Sequence, residues 1–167
     1  KFAHMQTHTS TYHIRTATLA DADRISQLIL YSIDRLEDKS YTPDQLHAWR
    51  AISSPEGIRK NLQERILFCA FEGETIVGTI GLIGHEIAGL YVSPDKKKSG
   101  IGGMLTAQTE AYARSQQMGE ITLTAIPSAV PFYQKKGYKI VKDVITLLLG
   151  VEYPEKVMVK SLVSNVS

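Results

Sequence analysis

Hydrophobic residues in the first third of the chain recur at intervals of three and four positions. They are Ile25, Leu28, Ile29 and Leu36. This spacing predicts an amphipathic helix over about 19–36, which begins at a capping box formed by Thr18 and Asp21. Proline directly after a cap residue predicts two further helices, which start at Pro43 and Pro55.

The hydrophobic period changes at residue 66, where three extended runs follow one another. They are Ile66–Phe71, Thr75–Ile83 and Glu86–Val92. The links between them are short and contain glycine, which predicts antiparallel hairpins. The remaining pattern predicts a first strand at 12–17, a helix over about 100–118, a strand at 121–126, a short helix at 129–136, and strands at 138–149 and 157–162.

The order of these elements predicts an α+β fold. Strands lie on both sides of the helix over about 100–118 and leave no room for a hairpin return, so these two strands are expected to be parallel. The other links favour antiparallel pairing. We therefore expect a mixed α/β sheet that is mostly antiparallel and contains a central parallel strand pair.

The charge balance argues against a protein that binds polyanions. The chain has 167 residues with 19 Lys and Arg against 17 Asp and Glu, a formal net charge of +2. Nucleic-acid-binding domains usually carry a large basic excess, so we expect no nucleic-acid partner. No apolar run approaches the roughly 20 residues of a membrane-spanning helix, so we expect no membrane partner.

The chain length fits one domain, which we predict over 11–163. Residues 1–10 are interpreted as a disordered tag remnant, and 164–167 as a tail. Cys69 is the single cysteine, which excludes an internal disulfide and favours a reducing compartment such as the cytoplasm. Its apolar neighbours predict a buried core residue. The histidines near the start lack cysteine or carboxylate partners at ligand spacing, so we expect no metal site.

The segment between the third hairpin strand and the central helix carries the candidate chemistry. Three consecutive lysines, Lys96–Lys98, are followed by Ser99 and then by Gly100, Gly102 and Gly103. Glycines at the beginning of a helix expose backbone N–H groups, and the helix N-terminus adds about half a positive charge. The lysines add charges suited to further phosphates. The segment therefore predicts a phosphate site.

Two well-known phosphate-binding motifs fit this segment poorly. The nucleotide P-loop requires a lysine after its second glycine, whereas here the lysines precede the glycines. The dinucleotide fingerprint requires a third glycine where this chain has Leu105. Glu120 stands at the distance of a ribose-binding acid, but it precedes the next strand instead of ending it. A dinucleotide site therefore stays a disfavoured alternative.

Two segments resemble motifs of the Gcn5-related N-acetyltransferase (GNAT) superfamily. The first resembles motif A and reads Val92-x-Pro94 followed by Lys97-Lys98-Ser99-Gly100-Ile101-Gly102. The second resembles motif B and reads Ala129-Val130-Pro131-Phe132-Tyr133-Gln134-Lys135-Lys136-Gly137-Tyr138. Lys97 stands where the family usually has Gln or Arg, and Ile126 where members often have an asparagine that contacts pantetheine. The resemblance covers about 12–162 and implies a six- to seven-stranded sheet flanked by about four helices.

The resemblance implies that the chain binds acetyl-CoA as an acetyl donor. The pyrophosphate would lie on the backbone N–H groups of Lys97, Lys98, Ser99, Gly100, Ile101, Gly102 and Gly103. The pantetheine arm would pair, as an added strand does, with Leu90, Tyr91 and Val92, in a gap between two splayed parallel strands. Motif B would add Ala129, Phe132, Tyr133 and Lys135 to the cofactor site. A side chain at Gly100 or Gly102 is expected to crowd the pyrophosphate.

The reaction of the family is direct attack by a neutral amine on the thioester, which needs a proton acceptor and a proton donor. Tyr133 matches the family's general acid, because a phenol can deliver a proton to a departing thiolate. Phe132 is expected to point inward beside it. Glu86 matches the catalytic glutamate of histone-type members and is the candidate base, with His85 as the alternative. A backbone N–H near Val92 would polarise the thioester carbonyl.

The family resemblance implies that the segment 31–50 forms one wall of the acceptor site. The candidate acceptor-binding residues are Tyr31, Asp34, Tyr41, Trp49 and His85. Acidic and aromatic side chains suit a cationic amine, whereas the alternative is a solvated helix end with the tryptophan in the core. We expect acetylation of a small amine. The alternatives are acetylation of a protein lysine or N-terminus and a non-catalytic acetyl-CoA sensor, and a homodimer is also considered.

Overall fold

The computed structural model of the protein describes residues 11–164. Its strands are β1 (Tyr12–Thr16), β2 (Ile66–Glu72), β3 (Thr75–Ile83), β4 (Glu86–Val92), β5 (Glu120–Ala125), β6 (Lys139–Leu148) and β7 (Val151–Ser161). Its α-helices are α1 (Ala22–Asp34), α2 (Pro43–Ile52), α3 (Pro55–Glu64), α4 (Ile101–Ser115) and α5 (Val130–Lys135). The predicted tag remnant at 1–10 and the tail residues 165–167 lie outside the described part.

The seven strands form one sheet in the order β1-β2-β3-β4-β5-β7-β6. Neighbouring strands are antiparallel except β4 and β5, which are parallel. α4 connects these two strands, because parallel neighbours need a crossover from the end of one strand to the start of the next. The predicted α+β class and the central parallel pair are confirmed.

Cap residues set the beginnings of the helices. Thr42 caps α2, because its hydroxyl accepts a hydrogen bond from the Gln45 N–H at 3.2 Å and its own N–H donates to the Gln45 side chain at 2.9 Å. The capping box at Thr18 instead begins a single 3₁₀ turn over Leu19–Asp21. α1 therefore starts only at Ala22 and is shorter than the predicted helix.

The last two strands form a longer hairpin than the sequence pattern predicts. β7 begins at Val151 instead of residue 157, and it pairs with β6 along almost its whole length. The turn at Leu149 and Gly150 places both residues at positive φ, 50° and 78°, as in the turns that favour hairpins. Pro154 interrupts the hydrophobic alternation that would have indicated the first half of β7. That half carries side chains to the site described below.

Two hydrophobic cores pack against the sheet. One contains α4 and α5 and is centred on Ile80, Ile101, Leu105, Tyr138 and Met158. The other contains α1 and α3 and includes the fully buried Cys69, as the sequence predicts. Within residues 11–164 no helix is long and apolar enough to cross a membrane.

Candidate active site

A cleft of about 440 Å³ opens where β4 and β5 part. These two strands pair only at Glu86 with Thr122 and at Ile87 with Leu123. Beyond these pairs the remaining part of each strand lines the cleft, which lies within the usual size range of small-ligand sites, roughly 300–1,000 Å³. The splayed parallel strands that the family resemblance implies are therefore present.

A β-bulge in β4 accompanies this separation. Ile87 is paired with Leu82 and Leu90 with Ile80, so two residues of β4 lie opposite the single residue Gly81 of β3. One of the two is Gly89, whose φ of 86° is the left-handed conformation that glycine adopts without strain. After the bulge, β4 pairs with β3 on one edge, and no strand within residues 11–164 pairs with the edge that faces the cleft. Its unpaired backbone groups can accept an extended ligand in the manner of an added strand.

The loop before α4 has the backbone of an anion site. Lys98 and Gly100 have positive φ, 60° and 84°, and Gly100 supplies no side-chain cap to the helix. The first backbone bond of the helix runs from the Met104 N–H to the Gly100 carbonyl at 3.0 Å. The N–H groups that precede Met104 in the helix therefore have no carbonyl four residues back and point out of its N-terminus.

One of the predicted backbone donors is already in use. The Ser99 N–H donates to the Lys96 carbonyl at 3.3 Å, and the Ser99 hydroxyl donates to the same oxygen at 2.6 Å. Ser99 thus closes the turn and does not present a free amide. We limit the expected anion donors to the loop and helix amides on either side of it.

The three lysines of the loop have different partners. Lys96 forms an ion pair with Glu72 at 2.9 Å, and Lys97, which lines the cleft, forms one with Glu37 at 2.6 Å. Lys98 is exposed and forms no ion pair with any residue in 11–164. It is the lysine whose charge is available to a ligand without the loss of an existing pair.

Two glycines of α4 lie close to side chains of neighbouring elements. A Cβ at Gly102 would lie 3.3 Å from the Phe132 ring, and one at Gly103 would lie 2.8 Å from Nζ of Lys136. Phe132 packs against α4 and does not line the cleft, whereas Ala129 does. At Gly100 no atom of the described residues lies within 4 Å of the Cβ position, and the positive φ is what favours glycine there.

Tyr133 lies at the floor of the cleft. Its side chain is 6% exposed, and its ring packs edge-on against Phe132 and Tyr138 at 5.1 and 5.6 Å between centroids. Its hydroxyl forms no hydrogen bond with a described residue. Burial, followed by the nearby Tyr91, raises the pKa of this phenol above its usual value. The phenol is therefore protonated throughout the neutral pH range.

Aromatic side chains form the opposite wall. The Trp49 indole N–H donates to the Tyr91 hydroxyl at 2.7 Å, and its ring lies 5.6 Å from the Tyr41 ring. All three line the cleft. Burial raises the pKa of Tyr41 and that of Tyr91 to about 12. Trp49 thus lines the cleft beside two tyrosines, and its role in acceptor binding stays a prediction.

Residues 37–146 match the family model of the acetyltransferase (GNAT) domain. The chain belongs to the GNAT acetyltransferase family. Since the match spans more than half of the chain and lies across the cleft, the α+β sheet described above is the GNAT fold, and the protein is an N-acetyltransferase of this family.

Relatives of this GNAT chain include both sequences and solved structures. The uncharacterized N-acetyltransferase YafP of Escherichia coli (strain K12) is 24% identical over 130 residues, which cover 78% of this chain and 83% of YafP. The crystal structure of a GCN5-related N-acetyltransferase from Rhodopseudomonas palustris has a TM-score of 0.84 at 26% identity and covers 91% of this chain and 96% of that one. PaiA N-acetyltransferase from Thermoplasma acidophilum was solved in complex with coenzyme A. It has a TM-score of 0.76 at 19% identity and covers 90% of this chain and 99% of that one.

Several residues predicted for the site of this GNAT domain lie outside the cleft. Tyr31 donates a hydrogen bond to Asp95 at 2.8 Å, and Asp34 forms an ion pair with Arg50. Lys135 is exposed on the far side of α5 from the cleft-lining Tyr133. None of these side chains lines the cleft, because each is turned toward another partner or toward solvent. Their positions do not support the predicted binding roles.

The candidate bases lie at the edge of the sheet. Glu86 is the first residue of β4 and His85 belongs to the preceding turn, and both are exposed and outside the cleft lining. Either could exchange a proton with the cleft only through water. The assignment of a base to Glu86 or His85 stays a prediction.

Sequence reasoning missed the β6–β7 side of the cleft. Thr146, Leu148, Tyr153 and Glu155 line it from the hairpin. Tyr153 and Glu155 are two apart on one strand and therefore share a face. The alternation of residues along a strand would place both side chains on one face, but the predicted strand begins at residue 157 and does not include them. Within 11–164, no group of three or more His, Cys, Asp or Glu is placed to hold a metal ion.

Proposed function

We propose that this enzyme transfers the acetyl group of acetyl-CoA to a primary amine by direct attack on the thioester. The observation that carries the proposal is the continuity of one cleft. It runs from the cleft-facing edge of β4, past the hydroxyl of Tyr133, to the aromatic wall at Tyr41 and Trp49. A donor held along the strand edge would place its thioester between a proton donor and an acceptor pocket.

The phosphate groups of acetyl-CoA would bind at the beginning of α4. The helix amides from Ile101 to Gly103 and the loop amides at Lys97, Lys98 and Gly100 supply N–H donors, and the lysines supply charge. The pantetheine arm would then extend along Leu90–Val92, beside Ala129. The coenzyme A complex of PaiA, a protein of the same fold, supports this choice of donor.

The chemistry requires one bond to form and one to break. The amine nitrogen attacks the thioester carbon, and the carbon–sulfur bond breaks as the tetrahedral intermediate collapses. A backbone N–H of the β4 edge stabilises the oxyanion, and Tyr133 delivers a proton to the departing sulfur. Glu86 or His85, acting through water, would accept the proton that the amine loses.

A panel of amines with acetyl-CoA, followed by the release of free thiol, tests the proposal. The panel contains small alkyl amines, amino acids, an aminoglycoside and peptides with a free N-terminus or lysine. Thiol release above the rate of hydrolysis with a small amine supports the proposal. Release with peptides alone favours a protein acetyltransferase, and tight binding of acetyl-CoA without release for any acceptor favours a sensor.

Lys98→Ala is expected to raise the KM for acetyl-CoA, because the variant removes the unpaired charge of the loop. Interactions of exposed charges are worth roughly 0.2–1 kcal/mol, so the increase should be up to about fivefold, with kcat unchanged. Lys60→Ala, an exposed lysine on α3, is the matched control. The KM is measured at low and high salt, and the difference between the variant and the wild type should shrink as salt is added. An equal KM for both variants would exclude Lys98 from the phosphate site.

We also propose that the exposed edge of β6 forms a homodimer interface. β6 is the outermost strand, and Ile145 and Leu147 are 64% and 66% exposed on it. Exposed apolar side chains on an unpaired edge favour association. Sedimentation velocity should show a dimer that the double change Ile145→Lys and Leu147→Lys converts to a monomer, while Leu19→Lys, at a residue 58% exposed elsewhere, leaves it intact. A monomeric wild type at micromolar concentration would contradict this prediction.

The cytoplasmic location expected from the single cysteine stays a prediction.

A further inference from the structure

Four charged side chains line the cleft, and one of them has, among the described residues, no oppositely charged or aromatic partner of the kind that the other three have. They are Arg35, Glu37, Lys97 and Glu155. Glu37 and Lys97 form an ion pair at 2.6 Å, and the Arg35 guanidinium lies 3.7 Å from the centre of the Tyr31 ring. The Glu155 carboxylate has no cation of residues 11–164 within ion-pair distance. It is a half-buried carboxylate whose charge no cation in the described part of the chain neutralises.

Glu155 lies among aromatic side chains from separate elements. It projects from β7 on the same face as Tyr153. Burial is the main cause of the raised pKa of the Tyr41, Tyr91 and Tyr153 phenols, and the charge of Glu155 adds to the pKa shift of each. Trp49 adjoins two of these phenols. A carboxylate with electron-rich rings around it is the combination that binds an ammonium group through both charge and cation–π contacts.

Other groups influence Glu155 and the phenols around it. Burial is the largest cause of the raised pKa of Glu155, and Glu86 on β4 adds to it, while the Thr146 hydroxyl on β6 acts in the opposite direction. Asp38 acts on Tyr41, and Arg65 acts in the opposite direction on Tyr91. Glu86 is thus the charged group that acts on the carboxylate itself, and a cation entering here would relieve the repulsion between Glu155 and Glu86.

We propose that Glu155 binds the ammonium group of the acceptor and makes this site selective for compact cationic amines that carry no carboxylate beside the charged nitrogen. The inference rests on the proposed function and specifies its acceptor class. It replaces Asp34 as the acidic group of the acceptor site, since that side chain already pairs with Arg50. Amino acids are disfavoured because their α-carboxylate would approach the carboxylate of Glu155.

The test compares Glu155→Gln with Glu152→Gln in the full chain. Glu152 lies on the same strand but is exposed and outside the cleft, so it is a matched control for charge. The probes are 1,4-diaminobutane, which is doubly cationic at neutral pH, and methoxyamine, which is uncharged. Trp49 is the single tryptophan and lines the cleft, so its fluorescence reports binding without catalysis.

Glu155→Gln should weaken the binding of 1,4-diaminobutane by about tenfold or more, because a hydrogen bond to a charged group is lost. The binding of methoxyamine should not change, and Glu152→Gln should change neither. In the wild type, added salt should weaken the binding of 1,4-diaminobutane and leave methoxyamine unaffected. This last comparison uses the wild type alone, so it still tests the role of charge if Glu155→Gln fails to fold. Equal salt dependence for the two probes would contradict the inference.

The outcomes separate this inference from the proposed function. If the wild type acetylates amines but Glu155→Gln binds 1,4-diaminobutane as the wild type does, the role of Glu155 is refuted and the function stands. If no acceptor releases thiol but the fluorescence affinity still falls in Glu155→Gln, the amine site stands and the proposed catalysis fails. If the wild type binds no cationic amine, or binds methoxyamine more tightly, the inference is overturned.

Discussion

Replacement of Tyr133 by phenylalanine should lower kcat by about 100-fold or more while the affinity for acetyl-CoA stays the same. A positioned general acid contributes typically 10²–10⁴-fold to a rate. The Tyr133 hydroxyl forms no hydrogen bond with a described residue, so its removal leaves no polar partner unsatisfied and should not affect folding. The variant therefore isolates the proton-transfer role from a structural one.

The pH dependence of this prediction follows from the burial of the phenol. Because burial raises its pKa above the usual value near 10, Tyr133 keeps its proton at every pH at which the protein is assayed. The kcat of the wild type should accordingly show no alkaline loss attributable to this group below about pH 10. Any alkaline loss at lower pH would have to come from another group.

A phenol with a raised pKa is a weak acid beside a thiol whose reference pKa is about 8.5. Transfer of its proton to a thiolate is therefore unfavourable unless the phenolate is reprotonated. The amine that has attacked the carbon carries an acidic N–H, and this proton can restore Tyr133 as the carbon–sulfur bond breaks. Tyr133 then acts as a relay that takes a proton from nitrogen and gives one to sulfur. The other proton, which the ammonium group loses before the attack, goes to the base.

Tyr112→Phe is the control for Tyr133→Phe. Tyr112 lies on α4, packs edge-on against Phe68, and its hydroxyl forms no hydrogen bond with a described residue. Both variants should have the same thermal unfolding midpoint, and only Tyr133→Phe should lose turnover in single-turnover thiol release. A retained kcat would remove Tyr133 from the donor role, and an equal loss in Tyr112→Phe would show that the effect is not specific.

The parts of the site that the sequence predicts are those encoded in contiguous segments. The loop at Lys97–Gly103 and the short helix that carries Tyr133 are local motifs, so their residue order already implies their geometry. The family assignment followed from them. What the order alone does not show is that Ser99 uses its amide within the turn, or that Phe132 packs against α4 instead of the cleft.

The side of the cleft proposed for the acceptor was harder to predict, because it depends on where α1 ends and on how β7 pairs with β6. Ser32 near the end of α1 lines the cleft, together with Arg35 and Leu36, which directly follow the last helical residue, Asp34. Tyr31 and Asp34 pair with Asp95 and Arg50 instead. Hydrophobic spacing locates the end of a helix only to within one or two residues, so it does not show which of these side chains enter the cleft. Glu155 reaches the cleft only through the pairing of β7 with β6, which no local pattern reveals.

Gly102→Val should both destabilise the protein and weaken the use of acetyl-CoA. The added Cβ would lie 3.3 Å from two atoms of the Phe132 ring and 3.7 Å from Val92. Overpacking of this kind costs typically 1–3 kcal/mol in the free energy of unfolding. Phe132 precedes Tyr133, and Val92 ends the strand edge proposed for the donor. The strain should therefore displace the Tyr133 side chain and this end of β4. A misplacement of about 1 Å can cost up to about 100-fold in rate, so kcat/KM for acetyl-CoA should fall by at least tenfold.

A double-mutant cycle with Phe132→Ala identifies the source of the strain. If the ring is the clashing partner, its truncation makes room for the new side chain, and the two stability losses should sum to more than the loss measured in the double variant. Gly119→Val is the control, because its Cβ would meet only Val163 at 3.9 Å. Additive losses would exclude the Phe132 contact as the cause. Full stability with low kcat/KM would instead show that the Cβ obstructs the pyrophosphate, the effect first expected from the sequence.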